Sequence, residues 1–332
     1  MIMPHTELMM KLLFLLCLPL WLFADKSYFK EKHPAPDHVQ IPWFTGPLLA
    51  PSSTVVPLGS WYVEPYIFAI ANAGEYSANW KVSSTPTFWN NYFQPEFTVG
   101  LARWMDIEFV PTVFYNYTNG AAKWSFGDFL LTVDFQLYNR KVRNITDWGS
   151  NVKLILRELV PNGKFQNLNP AKLATDASGE GSWQTAIGVV WGNLNWLGGQ
   201  HFISSRVLVQ YTIPAPCHVK NLNAYGGAAG THGRVYPAQN GEIDIAFEYS
   251  LTQNWVIAAD ILGSWSGKTR FKGHATAPMT HPTSFQLSLA PALEYNWSEG
   301  LGIIFGSWFT IAGRNATQFY SGIFALSYYY NN

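Results

Sequence analysis

The stretch GEIDIAFEYSLTQNWVIAADILGSW, residues 241–265, alternates almost without a break. Glu242, Asp244, Ala246, Glu248 and Ser250 share one parity, and Ile243, Ile245, Phe247, Tyr249 and Leu251 share the other. A second run opens at Trp255 and holds a single acid, Asp260. Successive side chains of a strand point to opposite faces, so the pattern predicts two strands, each with one apolar and one polar face. Whether the apolar face meets a protein core or lipid decides the fold.

Working outward, strand-like runs follow one another from residue 61 to the C-terminus, and helical periodicity is hard to find. The pattern predicts twelve strands, at 61–71, 92–104, 107–117, 126–138, 150–159, 182–191, 202–213, 240–250, 254–264, 284–296, 300–311 and 318–330. Most reach the ~9–11 residues that a tilted membrane strand needs. Their connections alternate in length. Residues 105–106, 251–253 and 297–299 form very short links, and 139–149 and 192–201 moderate ones. On the other side 72–91, 160–181, 214–239 and 265–283 are long, while 118–125 and 312–317 are short. Loops sorted by end, with an even strand number, fit a transmembrane barrel, whereas a soluble sandwich has no reason to sort them.

Tryptophan placement follows the same division. Trp104, Trp148, Trp196, Trp255 and Trp297 lie beside the shorter connections, and Trp61 opens the first strand on that side. Trp80, Trp89, Trp124, Trp183, Trp265 and Trp308 lie toward the long-loop side. Amphipathic indoles at both strand ends suit two membrane–water interfaces. The expectation is therefore an all-β, closed antiparallel transmembrane barrel of about twelve strands, with both termini periplasmic.

Alternation recurs in other strands. Ile203, Val207, Val209, Tyr211 and Ile213 oppose Ser204, Arg206, Gln210 and Thr212. Phe129, Leu131, Val133, Phe135 and Leu137 oppose Asp128, Thr132, Asp134 and Gln136. The polar parity is poor in lysine, unlike exposed surface strands, and a closed barrel removes the edges that apolar strands would otherwise present. Assigned to the lumen, this parity supplies Glu64, Glu96, Glu108, Asp128, Asp134, Glu242, Asp244, Glu248, Asp260 and Glu294, with Lys153, Arg157 and Arg206 as the bases. Two readings stand: an internal ion-pair network that holds the barrel's shape, or a charged constriction that favours cations or polar solutes. Pro65, Pro95, Pro111 and Pro291 fall within strands, where each removes a ladder donor and predicts a bulge or kink that bends the strand inward or opens a lateral path.

The rest of the chain fits export. Of 332 residues, 48% are hydrophobic and 13% charged, with zero formal net charge; soluble domains carry roughly 25% charged residues. Lys11, the apolar run at residues 12–23 and Ala24 predict a signal peptide over 1–24. That run is too short to span the ~30 Å hydrocarbon core as a helix. A Pro-rich leader without periodicity occupies 25–60, a periplasmic segment or a plug, and the barrel 61–332. With Cys17 in the signal, Cys217 is the single cysteine of the mature chain, which excludes a disulfide-stapled domain. A neutral chain without a basic run gives no support for nucleic-acid binding. The histidines show no catalytic or metal-ligand spacing, so no enzyme activity, metal or cofactor is expected. Membrane lipid and a small-molecule solute are the expected partners.

The segments GLARWMDIEFVPTVFYNY (100–117) and GDFLLTVDFQLYN (127–139), and the turns in EYSLTQNWVIAAD (248–260) and EYNWSEGLGIIF (294–305), resemble outer-membrane barrels of the phenol-degradation meta-pathway transporter type. The leader and first strand, PWFTGPLLAPSSTVVPLGSWYVEPYIF (42–68), resemble those of uncharacterised outer-membrane proteins of Legionella, Coxiella and chlamydia-related bacteria. The resemblance implies a bacterial outer-membrane channel or transporter for small, hydrophobic or aromatic solutes. A structural or adhesive surface protein, with a shut barrel and partner-binding long loops, is the competing expectation. The ending SYYYNN places Tyr330 two residues before the end, unlike barrels that finish on an aromatic residue.

Overall fold

In the computed structural model, residues 40–140 and 149–331 are described. The expected signal peptide, the first part of the leader and Trp148 lie outside these residues.

The described chain is built of strands. β1 (Trp61–Tyr76) and β2 (Val82–Ala102) are followed by β3 (Met105–Val110), β4 (Val113–Thr118), β5 (Ala121–Phe126) and β6 (Phe129–Arg140). β7 (Gly149–Val160), β8 (Gln184–Gly198) and β9 (His201–Pro214) precede two short strands, β10 (Cys217–Lys220) and β11 (His232–Tyr236). β12 (Asn240–Ser250), β13 (Trp255–Ser266), β14 (Arg270–His274) and β15 (Ser284–Ser298) then lead to β16 (Leu301–Gly306), β17 (Phe309–Arg314) and β18 (Ala316–Tyr330).

Every wall strand pairs antiparallel with its sequence neighbours, and β1 closes the ring by pairing with β18 from Trp61↔Tyr330 to Tyr76↔Ala316. Three wall strands are interrupted: β3 continues as β4, β5 as β6, and β16 as β17. Counting each pair once gives a closed barrel of twelve strands. Closure satisfies every ladder without an edge, which a lipid environment demands. Outward positions are apolar: Ile257 is 47% exposed, whereas Glu248 and Asp260 on the inward parity are 1% and 0% exposed. An apolar belt with acids inside is what the bilayer, not water, selects.

Several boundaries differ from expectation. The supposed long connection 72–91 is mostly strand, since β1 and β2 stay paired out to Tyr76↔Val82 and leave residues 77–81 as the turn. Its sequence lacks alternation because ladder hydrogen bonds rather than a buried face hold it: residues 72–76 lie between β18 and β2, and β2 pairs with β1 and, from Trp89 on, with β4 as well. Residues 118–125 shrink to a turn at Asn119 and Gly120, both at positive φ (44° and 80°), the geometry of a type I′ hairpin. Residues 192–201 shrink likewise, with β8 and β9 pairing to Gly198↔His201.

The prolines divide into two kinds. Pro65 and Pro95 sit directly opposite each other on β1 and β2. Pro111 lies in the gap between β3 and β4, and Pro291 faces the gap between β16 and β17, where its carbonyl accepts the Ser307 N–H at 3.1 Å. Beyond the wall, β10, β11 and β14 form a separate three-stranded sheet. The loops 214–239 and 265–283, expected only as long connections, therefore hold a built cap.

Candidate functional site: an occupied barrel interior

The interior is not the uniformly polar surface that alternation suggested. One sector is apolar: Tyr66, Phe68 and Ile70 of β1, Ile304 of β16, and Phe319 and Ile323 of β18 are buried together with Leu48 of the leader. β1 reads Tyr-Ile-Phe-Ala-Ile, apolar on both parities, so lipid takes Ile67 while the lumen takes Tyr66 and Phe68. Trp308 also departs from the girdle; its indole N–H donates to Ser288 Oγ at 2.8 Å and its ring meets Phe319 edge-on. The other sector is acidic.

In that second sector the predicted residues fall into groups. Glu64 lies opposite Glu96, and Asp106 opposite Asp134. Lys153 reaches Asp134 Oδ2 at 2.5 Å, both side chains buried. Arg157 donates to Gln210 Oε1 at 3.3 Å, and Gln210 donates to Glu242 Oε1 at 2.8 Å. Between the adjacent strands β9 and β12 Arg206 meets Glu248 Oε2 at 3.2 Å, and Ser204 donates to the same oxygen at 2.8 Å. Glu248, Asp244, Asp260 and Glu294 are all buried, while Glu96, Glu108 and Glu242 are half-buried. Asp128 does something else. It stands in the gap between β5 and β6, and its carboxylate accepts the N–H groups of Asn162, Gly163 and Glu180. It anchors the loop 161–183 rather than joining the lumen charges, because the strand breaks at Gly127 and frees it from the ladder.

The leader supplies what fills the rest. Asp260 accepts the N–H groups of Leu48, Leu49 and Ala50 at 3.1, 3.3 and 3.0 Å. Glu294 Oε2 accepts that of Thr45 at 2.7 Å, and Asp106 Oδ2 that of Val56 at 2.6 Å. Gln136 accepts from Val55 N–H at 2.9 Å and donates to the Ser53 carbonyl at 3.1 Å. Arg206 donates to the Ala50 carbonyl at 3.2 Å, and Asn296 to that of Trp43 at 3.1 Å. A non-repetitive backbone buried in a barrel needs such partners, since an unpaired buried amide costs ~1–3 kcal/mol. Wall glycines leave it room: a Cβ on Gly302 would stand 2.5 Å from Thr45 Oγ1, and one on Gly306 2.6 Å from Leu48 Cδ1. Gly192 and Gly100 are likewise covered, by Ser53 and by the Pro57 carbonyl.

Both ends of this segment lie on the short-turn side. Trp43 N–H donates to the Gln253 carbonyl in the β12–β13 turn, and Gly59 N–H to that of Gly100 near the end of β2. The leader therefore loops into the lumen and out of the same mouth. Asp106 was expected in a turn, Gln136 only as part of the polar parity, and Asn296 only as the end of a strand. Nothing in the leader's own sequence signals its partners, because they bind its backbone.

From Leu48 an aromatic row runs along the inner face. Tyr66 and Phe68 rings are 5.5 Å apart, Phe68 and Tyr92 4.4 Å, and Tyr92 and Phe114 5.5 Å. It ends at a cavity of about 480 Å³ beside the β3–β4 gap, lined in part by Tyr92, Phe114, Thr112, Asp128 and Leu159. Among the described residues no set of three His, Cys, Asp or Glu side chains converges as a metal site.

At the short-turn ends Trp61, Trp104, Trp255 and Trp297 are exposed, and Trp196 donates its indole N–H to the Gly199 carbonyl at 3.0 Å.

No protein-family model matches the chain, and no curated protein does. Among solved structures it is similar to the COG4313 outer membrane channel from Pseudomonas putida F1, at 13% identity and a TM-score of 0.66, over 85% of this chain and 100% of that one. This likeness shows the fold. The P. putida toluene transporter TodX (10% identity, TM-score 0.36, 83% of this chain and 90% of that one) also matches. So does the transport unit of the Escherichia coli autotransporter AIDA-I (10%, 0.43, 81% and 90%). At those scores neither carries an argument.

Proposed function

We propose that this protein is a bacterial outer-membrane channel for small hydrophobic or aromatic solutes, held shut by its own leader. The proposed division is a signal peptide over 1–24, a leader plug within 25–60 and a barrel over 61–332, with both termini periplasmic. Its partners are outer-membrane lipid and the solute; no enzymatic role is assigned.

The observation that carries this reading is the inner-face row of Tyr66, Phe68, Tyr92 and Phe114, which joins the leader's Leu48 to the cavity at the break in the wall. Stacked and tilted rings give a planar solute apolar contact without fixed polar partners to release. A purely structural barrel has no need of such a row beside a removable segment. The resemblance of residues 100–117 and 127–139 to phenol-degradation transporters supports the same solute class. The name of the COG4313 channel supports channel function.

Current block tests it. With the leader removed, phenol added to single channels in a planar bilayer is expected to interrupt the current, and Tyr92→Ala to weaken the block about tenfold, the worth of one aromatic contact. Open channels indifferent to phenol and to Tyr92→Ala exclude aromatic solutes.

A further inference from the structure

The chain is neutral overall, but its charges are sorted. Acids crowd the lumen, while residues 215–239 and 267–283 contain five Lys or Arg, four His and no Asp or Glu. These residues build the cap sheet, whose two faces differ completely. Cys217, Val219 and Val235 turn inward and pack with Tyr225 and Met279. The opposite parity carries the cations, and all of them are exposed.

The register places one pair of like charges face to face, Arg234 and Lys272, with histidines and further basic residues beside it. Arg234 of β11 lies opposite His218 of β10 on one side and Lys272 of β14 on the other. His232 is flanked by Lys220 and His274 in the next row, and Tyr236 by Arg270 in the last. Neighbouring strands are ~4.8 Å apart and same-face residues ~7 Å apart, so these side chains form a flat cationic grid. Directly opposed like charges destabilise a sheet. A sheet packed on its inner face, yet with Arg234 and Lys272 opposed on its outer face, has a surface that an anion would relieve. The Tyr236 ring sits among the cations, 5.7 Å from both the Arg234 guanidinium and Lys272 Nζ. Beside it opens a cavity of about 460 Å³ lined by Tyr236, Lys268, Arg270, Phe271, Lys272 and Thr280.

We propose that this face binds a sulfated polysaccharide chain. A polyanionic glycan matches the grid in charge, and a pyranose ring offers its apolar face to Tyr236 while its sulfates meet Arg234, Arg270 and Lys272. Arg in particular pairs with planar or tetrahedral oxyanions through two N–H groups. Single-stranded nucleic acid is the poorer fit, since it relies on several stacking platforms and the grid holds one phenol ring. This surface is separate from the lumen and works whether the channel is open or shut.

The test uses the full chain in phosphatidylcholine nanodiscs and a heparin dodecasaccharide, with binding followed by interferometry across a salt series. The double variant R234Q/K272Q removes two exposed charges and no buried side chain, and K81Q/K123Q removes two exposed charges elsewhere, one from the β1–β2 turn and one from β5. Binding is expected for the wild type and for K81Q/K123Q. R234Q/K272Q is expected to bind about tenfold more weakly, with a salt slope lower by about two. Absence of binding overturns the proposal, as does equal loss in K81Q/K123Q or tighter binding of a single-stranded oligonucleotide than of heparin. Lipopolysaccharide that co-purifies with the wild type and is lost in R234Q/K272Q, while heparin binding is unchanged, also overturns it.

Discussion

The backbone N–H of Leu48 donates to Asp260 Oδ2 at 3.1 Å across 212 residues of sequence. One carboxylate in the barrel wall thereby holds a leader that enters and leaves by the same mouth, with Leu49 and Ala50 donating to its second oxygen. Three amides on one buried acid make Asp260 the leader's deepest anchor.

Asp260→Ala should release the leader. Hydrogen bonds to a charged acceptor are worth ~1.5–3 kcal/mol each, and leaving three amides unpaired adds to the loss. The expected outcome is cleavage between residues 43 and 57 by an added protease, at a rate at least tenfold above wild type, with the barrel still intact on a gel.

Filling the seat should act the same way without touching a hydrogen bond. Gly192 lies under Ser53, where a Cβ has no room. Gly192→Val suits a strand but displaces the leader. Hydrogen exchange should quicken at Ser53 and its neighbours and stay slow in β8 and β9.

The Lys153–Asp134 pair is buried at 2.5 Å, so breaking it is costly and replacing it is not. Lys153→Met strands a buried carboxylate and should lower stability by ~3–5 kcal/mol. Lys153→Met with Asp134→Leu should recover most of that. The temperature at which the folded band is lost on a heat-modifiability gel reads both.

The Cys217 side chain lies on the inner face of the cap sheet, and burial pushes its thiol pKa up. The thiolate is the reactive form, so a raised pKa leaves less of it at neutral pH. Maleimide labelling of the folded protein should be slow at pH 7.5 and rise at a higher pH than for the urea-unfolded chain. Tyr225→Ala, which opens the cluster, should speed it.

Much of the fold was legible because lipid imposes period-2 alternation. β12 matches its expected bounds, 240–250, and β13 runs from Trp255 to Ser266, since Ile257 faces outward and Asp260 inward. Where lipid imposes nothing, the signal weakened. Residues 82–91 mix Val82 and Pro86 with polar and aromatic residues, without alternation, and are strand all the same, and the Asn119-Gly120 turn was a hairpin signal hidden inside an assumed loop. The cap sheet was missed because its strands are only four or five residues long. The acids of the interior were visible as a parity, but what several of them hold was not. Asp260 and Glu294 bind leader backbone, which carries no side-chain signature, and Asp106 read as a turn residue. The apolar inner sector escaped because β1 is apolar on both faces, so alternation there is silent.

The most direct test compares conductance of the full chain with that of a chain lacking residues 43–57, both in planar bilayers. The full chain should stay closed at low voltage, and the shortened chain should show stepwise currents that fall when phenol is added. A shortened chain that folds into the bilayer and stays silent would contradict a leader-closed channel.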